Sequence, residues 1–259
     1  MTRAIAALWL REIRLFLRDK SRVIGALVQP LALWALFGLG FNAAFQMPGA
    51  DLTYSTYLFP GIVVLVLLFT AIFSTISVVE DRQRGVLQAA LVAPQPRAVV
   101  ALGVVTGGTT LAVGQAALVG ALAPLAGLAP GALGFAVALV GCTLLAVAFT
   151  ALGFVMAWRL DTTRGFHAVM NLVLMPLWLL SGAFFPSAGA PAALAWAMRL
   201  NPATYGVSVV RHGLAGLGAA PGTDVPLGLA LGVSGAFAAL ALAGAIWTAG
   251  RPLYAGAAR

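Results

Sequence analysis

The chain has 259 residues, of which 61% are hydrophobic and 8% charged, with a mean hydropathy of +1.00. Soluble domains carry about 25% charged residues, so no polar shell exists here to surround one large core, and a bilayer is the solvent that the composition fits. A net charge of +8 and a pI near 11.1 would suit nucleic acid, but the basic residues are distributed along the chain in a way that points to a membrane instead.

Residues 1–22 form a basic amphipathic segment. At about 100° per residue, Ile5, Trp9, Ile13 and Phe16 share one face, and Arg3, Arg11, Arg14, Arg18 and Arg22 share the opposite face. The pattern predicts a helix lying in the membrane interface, with its apolar stripe in the acyl boundary and its arginines at anionic lipid headgroups.

Six apolar stretches of spanning length follow, at about 23–45, 57–79, 98–122, 132–158, 166–183 and 226–248. Five lack any Asp, Glu, Lys, Arg or His, and the other holds only His167. A charge at a helix centre costs about 2.5–3.5 kcal/mol on insertion scales, so this absence is what lipid-spanning helices require. The first stretch contains Pro30 and is too long for the apolar part of a cleavable signal peptide. The second is expected to open at "YLFPG", with Pro60 in its first turn, where no donor is lost. The polar "DLTYSTY" before it reads as a loop.

Directly after the second stretch, Glu80, Asp81, Arg82 and Arg84 gather within five positions. Glu80 and Arg84 have the spacing and order of a helical ion pair. Val86, Leu87, Ala90 and Leu91 follow as an apolar stripe, and "APQP" at 93–96 stops the helix. Such a stripe held outside the bilayer needs a partner surface.

The third stretch carries Gly103 and Gly107, and the last Gly228 and Gly232, each pair at the GxxxG spacing that lets helices approach closely in lipid. The single cysteine, Cys142, lies within the fourth stretch and reads as a small packing residue. Residues 184–225 are broken by Pro186, Pro191 and Pro202 into pieces too short to cross, which predicts re-entrant or interfacial helices.

With six spans, thirteen of the fifteen basic residues fall on one side, and only Arg199 and Arg211 on the other. The positive-inside rule then puts both termini in the cytoplasm and residues 46–56, 123–131 and 184–225 outside.

The sequence offers no energy source. No acid lies within a span to couple proton or sodium flow. The only lysine, Lys20, sits in "RDKSR" without the glycines of a P-loop. Ser181 and His212 could form a hydrolytic pair only if the fold brought them together. No HExxH motif, paired carboxylates or metal-ligand cluster is present in the sequence.

Three stretches, "YLFPGIVVLVLLFTAIFSTISVVEDRQRGVLQAALVAPQPR", "FHAVMNLVLMPLWLLSGAFFP" and "LNPATYGVSVVR", together with the span pattern, resemble the type-2 ABC-transporter permeases, in the branch of drug-resistance and nodulation-factor exporters. The resemblance implies an all-α polytopic membrane protein: one domain, 1–259, with six transmembrane helices, an N-terminal interfacial helix and external re-entrant helices between spans 5 and 6. It implies a coupling helix at 80–92, carrying Glu80, Asp81, Arg82, Arg84, Gly85, Val86, Leu87 and Leu91, that docks on a separate ATP-binding cassette ATPase. ATP and Mg would be bound there and not in this chain. An external lid would include Phe184, Phe185, Pro186, Asn201, Pro202 and Tyr205. A second permease copy, membrane lipid as surroundings, a plasma (inner) membrane location and export of an amphipathic or lipid-like substrate complete the expectation. A non-transport membrane scaffold that uses the same loop to hold a cytoplasmic partner is the alternative.

Overall fold

The computed structural model describes residues 1–41, 52–88, 95–187, 190–217 and 225–251, without the side chains of 21 and 22. Among them the regular structure is helical throughout, with no strand. The helices are α1 (Thr2–Arg18), α2 (Lys20–Phe41), α3 (Tyr54–Ser74), α4 (Ile76–Gln83), α5 (Ala98–Gly120), α6 (Ala132–Ala157), α7 (Thr163–Leu179), α8 (Ala192–Leu200), α9 (Pro202–Ala215) and α10 (Leu227–Gly250).

Among the described residues, five helical segments are long and apolar enough to cross a membrane: Val23–Phe41, Tyr54–Gln83, Ala98–Gly120, Ala132–Ala157 and Leu227–Gly250. The stretch expected at 166–183 is α7, whose 17 residues span about 25 Å, short of the roughly 30 Å hydrocarbon core. Its first turns hold Arg164, His167 and Asn171, all exposed.

α3 is the central stave. Of its 21 residues, 17 are buried, and it packs against α2, α5, α6, α7 and α9. α6 is the second centre, gripped by α5, α9 and α10. α2 and α10 stand at the periphery, where exposed Leu36, Leu39, Leu229 and Leu240 suit contact with lipid tails.

Two boundaries differ from the sequence reading. α3 begins at Tyr54, capped by Thr53, whose hydroxyl accepts from Thr56 N at 3.2 Å. Pro60 is therefore inside the helix and not in its first turn. "DLTYSTY" is partly cap and helix, not a loop, because a threonine before an apolar run satisfies orphan N–H groups. At the other end, α3 passes into α4 across Thr75, where Ser74, Thr75 and Ser77 each donate to the carbonyl three residues back. Such hydroxyls compete with the helical ladder and bend it.

α9 is no loose cap. Ten of its 14 residues are buried, and its glycines interlock with α6: a Cβ on Gly213 would lie 2.5 Å from Ala138 N, and one on Gly134 would lie 2.5 Å from Gly213 O. α8 is the exposed member of that region, with Trp196 and Leu200 both open.

Candidate functional site

The charged cluster after α3 divides three ways. Glu80 pairs with Arg84 at 3.6 Å, the i,i+4 contact that the sequence spacing predicts, with Arg84 exposed. Asp81 is buried and accepts from Arg11 of α1. The hydrogen bond to Asp81 holds the Arg11 guanidinium above its ordinary pKa. Arg82 is buried as well. It donates to Leu160 O at 2.9 Å and Asp161 Oδ1 at 3.0 Å, and also to the carbonyls of Ala157 and Trp158. These carbonyls end α6, where no further turn supplies donors, so a guanidinium both caps them and meets the negative end of the helix dipole.

The expectation of one helix over 80–92 is corrected. α4 stops at Gln83, and Gly85 takes φ +77°, a left-handed conformation open to glycine. A new helical turn starts at Val86. The single apolar stripe is corrected too: Val86 is 45% exposed, but Leu87 is 3% exposed and lies in the core of the bundle. Leu87 has its partner inside this chain. Ala90 and Leu91 lie outside the described residues.

α1 also differs from its two-faced prediction. The face against the bundle holds Leu8, Glu12 and Phe16, with Glu12 and Phe16 buried. It seats on α5 at the predicted GxxxG pair: a Cβ on Gly103 would lie 2.5 Å from Leu8 Cβ, and one on Gly107 would lie 2.7 Å from Glu12 Cβ. Trp9 Nε1 donates to Thr110 Oγ1 at 3.0 Å. Phe16 and Trp9 thus face protein, while Ile5 and Ile13 are half-buried. Exposed Leu10 and Leu17 lie on the outward side beside Ile13 and share it with Arg3 and Arg14, which stand three to seven residues from them. Arg18 extends that exposed side, and Arg11 sits at its edge, tied to Asp81 and to Glu12.

Between the end of α1, α2, the lower half of α3, α4 and α7 lies an open groove of about 690 Å³. Phe16, Phe69, Phe73 and Met175 make its apolar wall; Gln29, Thr70 and Asn171 line its middle. Asp19, Glu80 and His167 stand on it as well. The groove therefore carries charged as well as apolar lining. His167 stacks on Phe73 with ring centroids 5.0 Å apart.

At the opposite end the turn after α7 is fastened to α3. Tyr54 Oη donates to Phe184 O at 2.9 Å, Tyr57 Oη to Gly182 O at 2.7 Å, and Trp178 Nε1 to Gly61 O at 2.8 Å. The Phe184 ring meets Phe37, Tyr54 and Trp178 edge to face. Phe185 and Pro186 are half-buried. Asn201 caps α9 by accepting from Ala203 N at 3.0 Å, with Pro202 at the first helical position, and its Nδ2 donates to Leu177 O at 2.6 Å. Tyr205 Oη donates to Arg199 O at 2.9 Å.

Residues 3–215 match the family model described as ABC-2 type transporter. The chain belongs to that family. A comparison with curated proteins returns no match. The permease is thus a multi-pass membrane component of an ABC transporter, and the family places ATP hydrolysis in a partner ATPase subunit.

Of the residues expected in the permease's coupling region, Glu80, Arg84, Gly85 and Val86 reach the surface, whereas Asp81, Arg82 and Leu87 are used internally. A hydrolytic pair does not form. Ser181 Oγ donates to Trp178 O at 2.6 Å, and His212 Nδ1 bonds Ser208 O at 2.9 Å. His212 is also buried. Glu12 and Gln115 escaped sequence reasoning. Gln115 accepts from Thr70 between α3 and α5. For Glu12 a signal existed: it stands four residues from both Leu8 and Phe16, on the face that packs.

Proposed function

We propose that this chain is the membrane-spanning permease subunit of an ATP-driven ABC exporter, moving an amphipathic or lipid-like substrate. The groove between α2, α3 and α7 carries the reading: aromatic and thioether walls suit an apolar body, and Gln29, Asn171, Asp19 and Glu80 suit a polar end. Its polar side chains on α2 and α7 would be costly against lipid, which supports a second permease copy facing this side, with substrate passing between the two.

In this reading α7 is the fifth of six spans, α8 and α9 are the external re-entrant pair, and α1 lies in the headgroup region with lipid against Leu10 and Leu17. Both termini are cytoplasmic and the membrane is the plasma (inner) membrane. The ATPase, with its ATP and Mg, docks on the surface formed by Glu80, Arg84, Gly85 and Val86 and the residues that follow to 92. Phe184, Phe185, Pro186, Asn201, Pro202 and Tyr205 close the outer end.

The test fills the groove. Gln29→Trp and Asn171→Trp place bulk on its middle and leave residues 80–88 unaltered in sequence. In vesicles carrying the permease with its ATPase, each variant is expected to reduce efflux of an amphipathic fluorescent dye, while the ATPase stays membrane-bound. Parental efflux in both variants would remove the groove from the path.

A further inference from the structure

Asp81, Arg82 and Gln83 are consecutive, yet they fasten α4 to two different parts of the molecule. Asp81 takes the guanidinium of Arg11, 70 residues earlier. Arg82 takes the end of α6 and Asp161, and Gln83 Nε2 donates to Asp161 O at 2.9 Å. The two fastenings differ in kind. Arg82 caps backbone carbonyls and adds a charge pair, so α4 and the link between α6 and α7 behave as one piece. Arg11–Asp81 is a single side-chain pair between helices that contact each other through little else.

α1 otherwise rests on α5 at Gly103 and Gly107, where side chains of α1 lie on bare backbone, and through the one hydrogen bond from Trp9 to Thr110. A surface of that kind offers few knobs to lock its register, and packed helices accommodate small displacements by shear. Asp81 is enclosed, with 12% of its side chain exposed. Pulling Arg11 away would leave a buried carboxylate uncompensated, which is strongly unfavourable. When α4 is displaced, the pair therefore holds and the α1–α5 contact gives.

We propose that the Arg11–Asp81 pair is a strut that makes α1 follow α4, so that the N-terminal helix is a moving part of the coupling machinery. Arg11 is a positioning residue in this sense. The inference rests on the reading that the ATPase engages residues 80–92, and it goes beyond it by assigning the paired charge to transmission and not to docking.

The experiment uses the full permease with its ATPase in a Cys142→Ala background. Spin labels are placed at Ala6→Cys on α1 and Leu118→Cys on α5, both exposed positions. The distance between them is measured without nucleotide and with ATP and vanadate. The parental pair is expected to change distance on trapping. Arg11→Gln is expected to cut the trapped fraction about fivefold or more with the ATPase still bound, and Arg11→Asp combined with Asp81→Arg to restore it. A distance that does not respond in the parental protein, a full response in Arg11→Gln, or no recovery in the exchanged pair would each overturn the strut. Failure of the parental permease to retain the ATPase at all would overturn the coupling reading, and the strut with it.

Discussion

Arg211 of α9 lies over the ring of Tyr57 of α3, with Cζ 4.2 Å from the ring centroid. Its Nη2 also donates to Gly182 O at 3.0 Å, the same carbonyl that accepts from the Tyr57 hydroxyl. One carbonyl after α7 thus gathers donors from α3 and α9, beside Gly182 itself at φ +75°. The buried cation has the Tyr57 ring and the carbonyls of Gly182 and Tyr57 together, which explains how a basic residue is accommodated at this end of the bundle.

Removing that cation should loosen the joint. Arg211→Ala is expected to destabilise the detergent-purified permease by about 1–3 kcal/mol, because it leaves buried carbonyls without their donor. The measurement is thermal unfolding. Arg211→Lys should recover only part of the loss, since an ammonium lacks the planar fork that stacks and donates at once.

Arg82 gives a second test. As a cap on α6 it should act on folding: Arg82→Ala is expected to lower the yield of folded permease, with a cost of about 1–3 kcal/mol from the carbonyls left uncapped. Because the residue is buried, raising salt should change little. A folded Arg82→Ala permease whose only defect is salt-sensitive loss of the ATPase would return Arg82 to the docking surface.

Leu87 and Val86 separate core from contact. Leu87→Ala should cost about 2–5 kcal/mol in permease stability, as for a buried leucine. Val86→Asp should leave stability within about 0.5 kcal/mol and weaken retention of the ATPase on membranes. Chemical denaturation and sedimentation of the ATPase with membranes read the two effects independently.

Gly107→Val tests the seat of α1. The new side chain would meet Glu12, and overpacking of this kind costs about 1–3 kcal/mol. α1 should lift from α5, seen as faster proteolysis near Arg14 and Arg18, while the spans remain intact.

Much of this fold was legible because lipid forbids charge: runs without Asp, Glu, Lys or Arg mark the helices that carry Leu36, Leu118 and Leu240 outward. α7 was harder, since Arg164, His167 and Asn171 blur its start. The amphipathic α1 was visible, but not which of its apolar residues face protein, because Phe16 and Leu17 look alike until α5 is in place. The cluster at Glu80 to Arg84 read as one solvated contact surface. Local spacing identified the Glu80–Arg84 pair, whereas the partners of Asp81 and Arg82 lie about seventy to eighty residues away, beyond any helical period. Gly103 and Gly107 stood out by spacing, yet among 30 glycines the spacing could not say that their neighbour was α1 and not another span.

The seat of α1 on α5 also sets an order of assembly. Leu8 and Glu12 leave the ribosome roughly a hundred residues before Gly103 and Gly107 do. During that interval α1 has no protein face to rest on, and two further hydrophobic helices must be threaded into the bilayer first. A short helix with Leu10, Leu17 and several arginines exposed can wait at the headgroups meanwhile. Its final docking, and with it the closing of Arg11 onto Asp81, is a late event in biogenesis, so a nascent chain arrested before Ala98 should carry an N-terminus still open to protease.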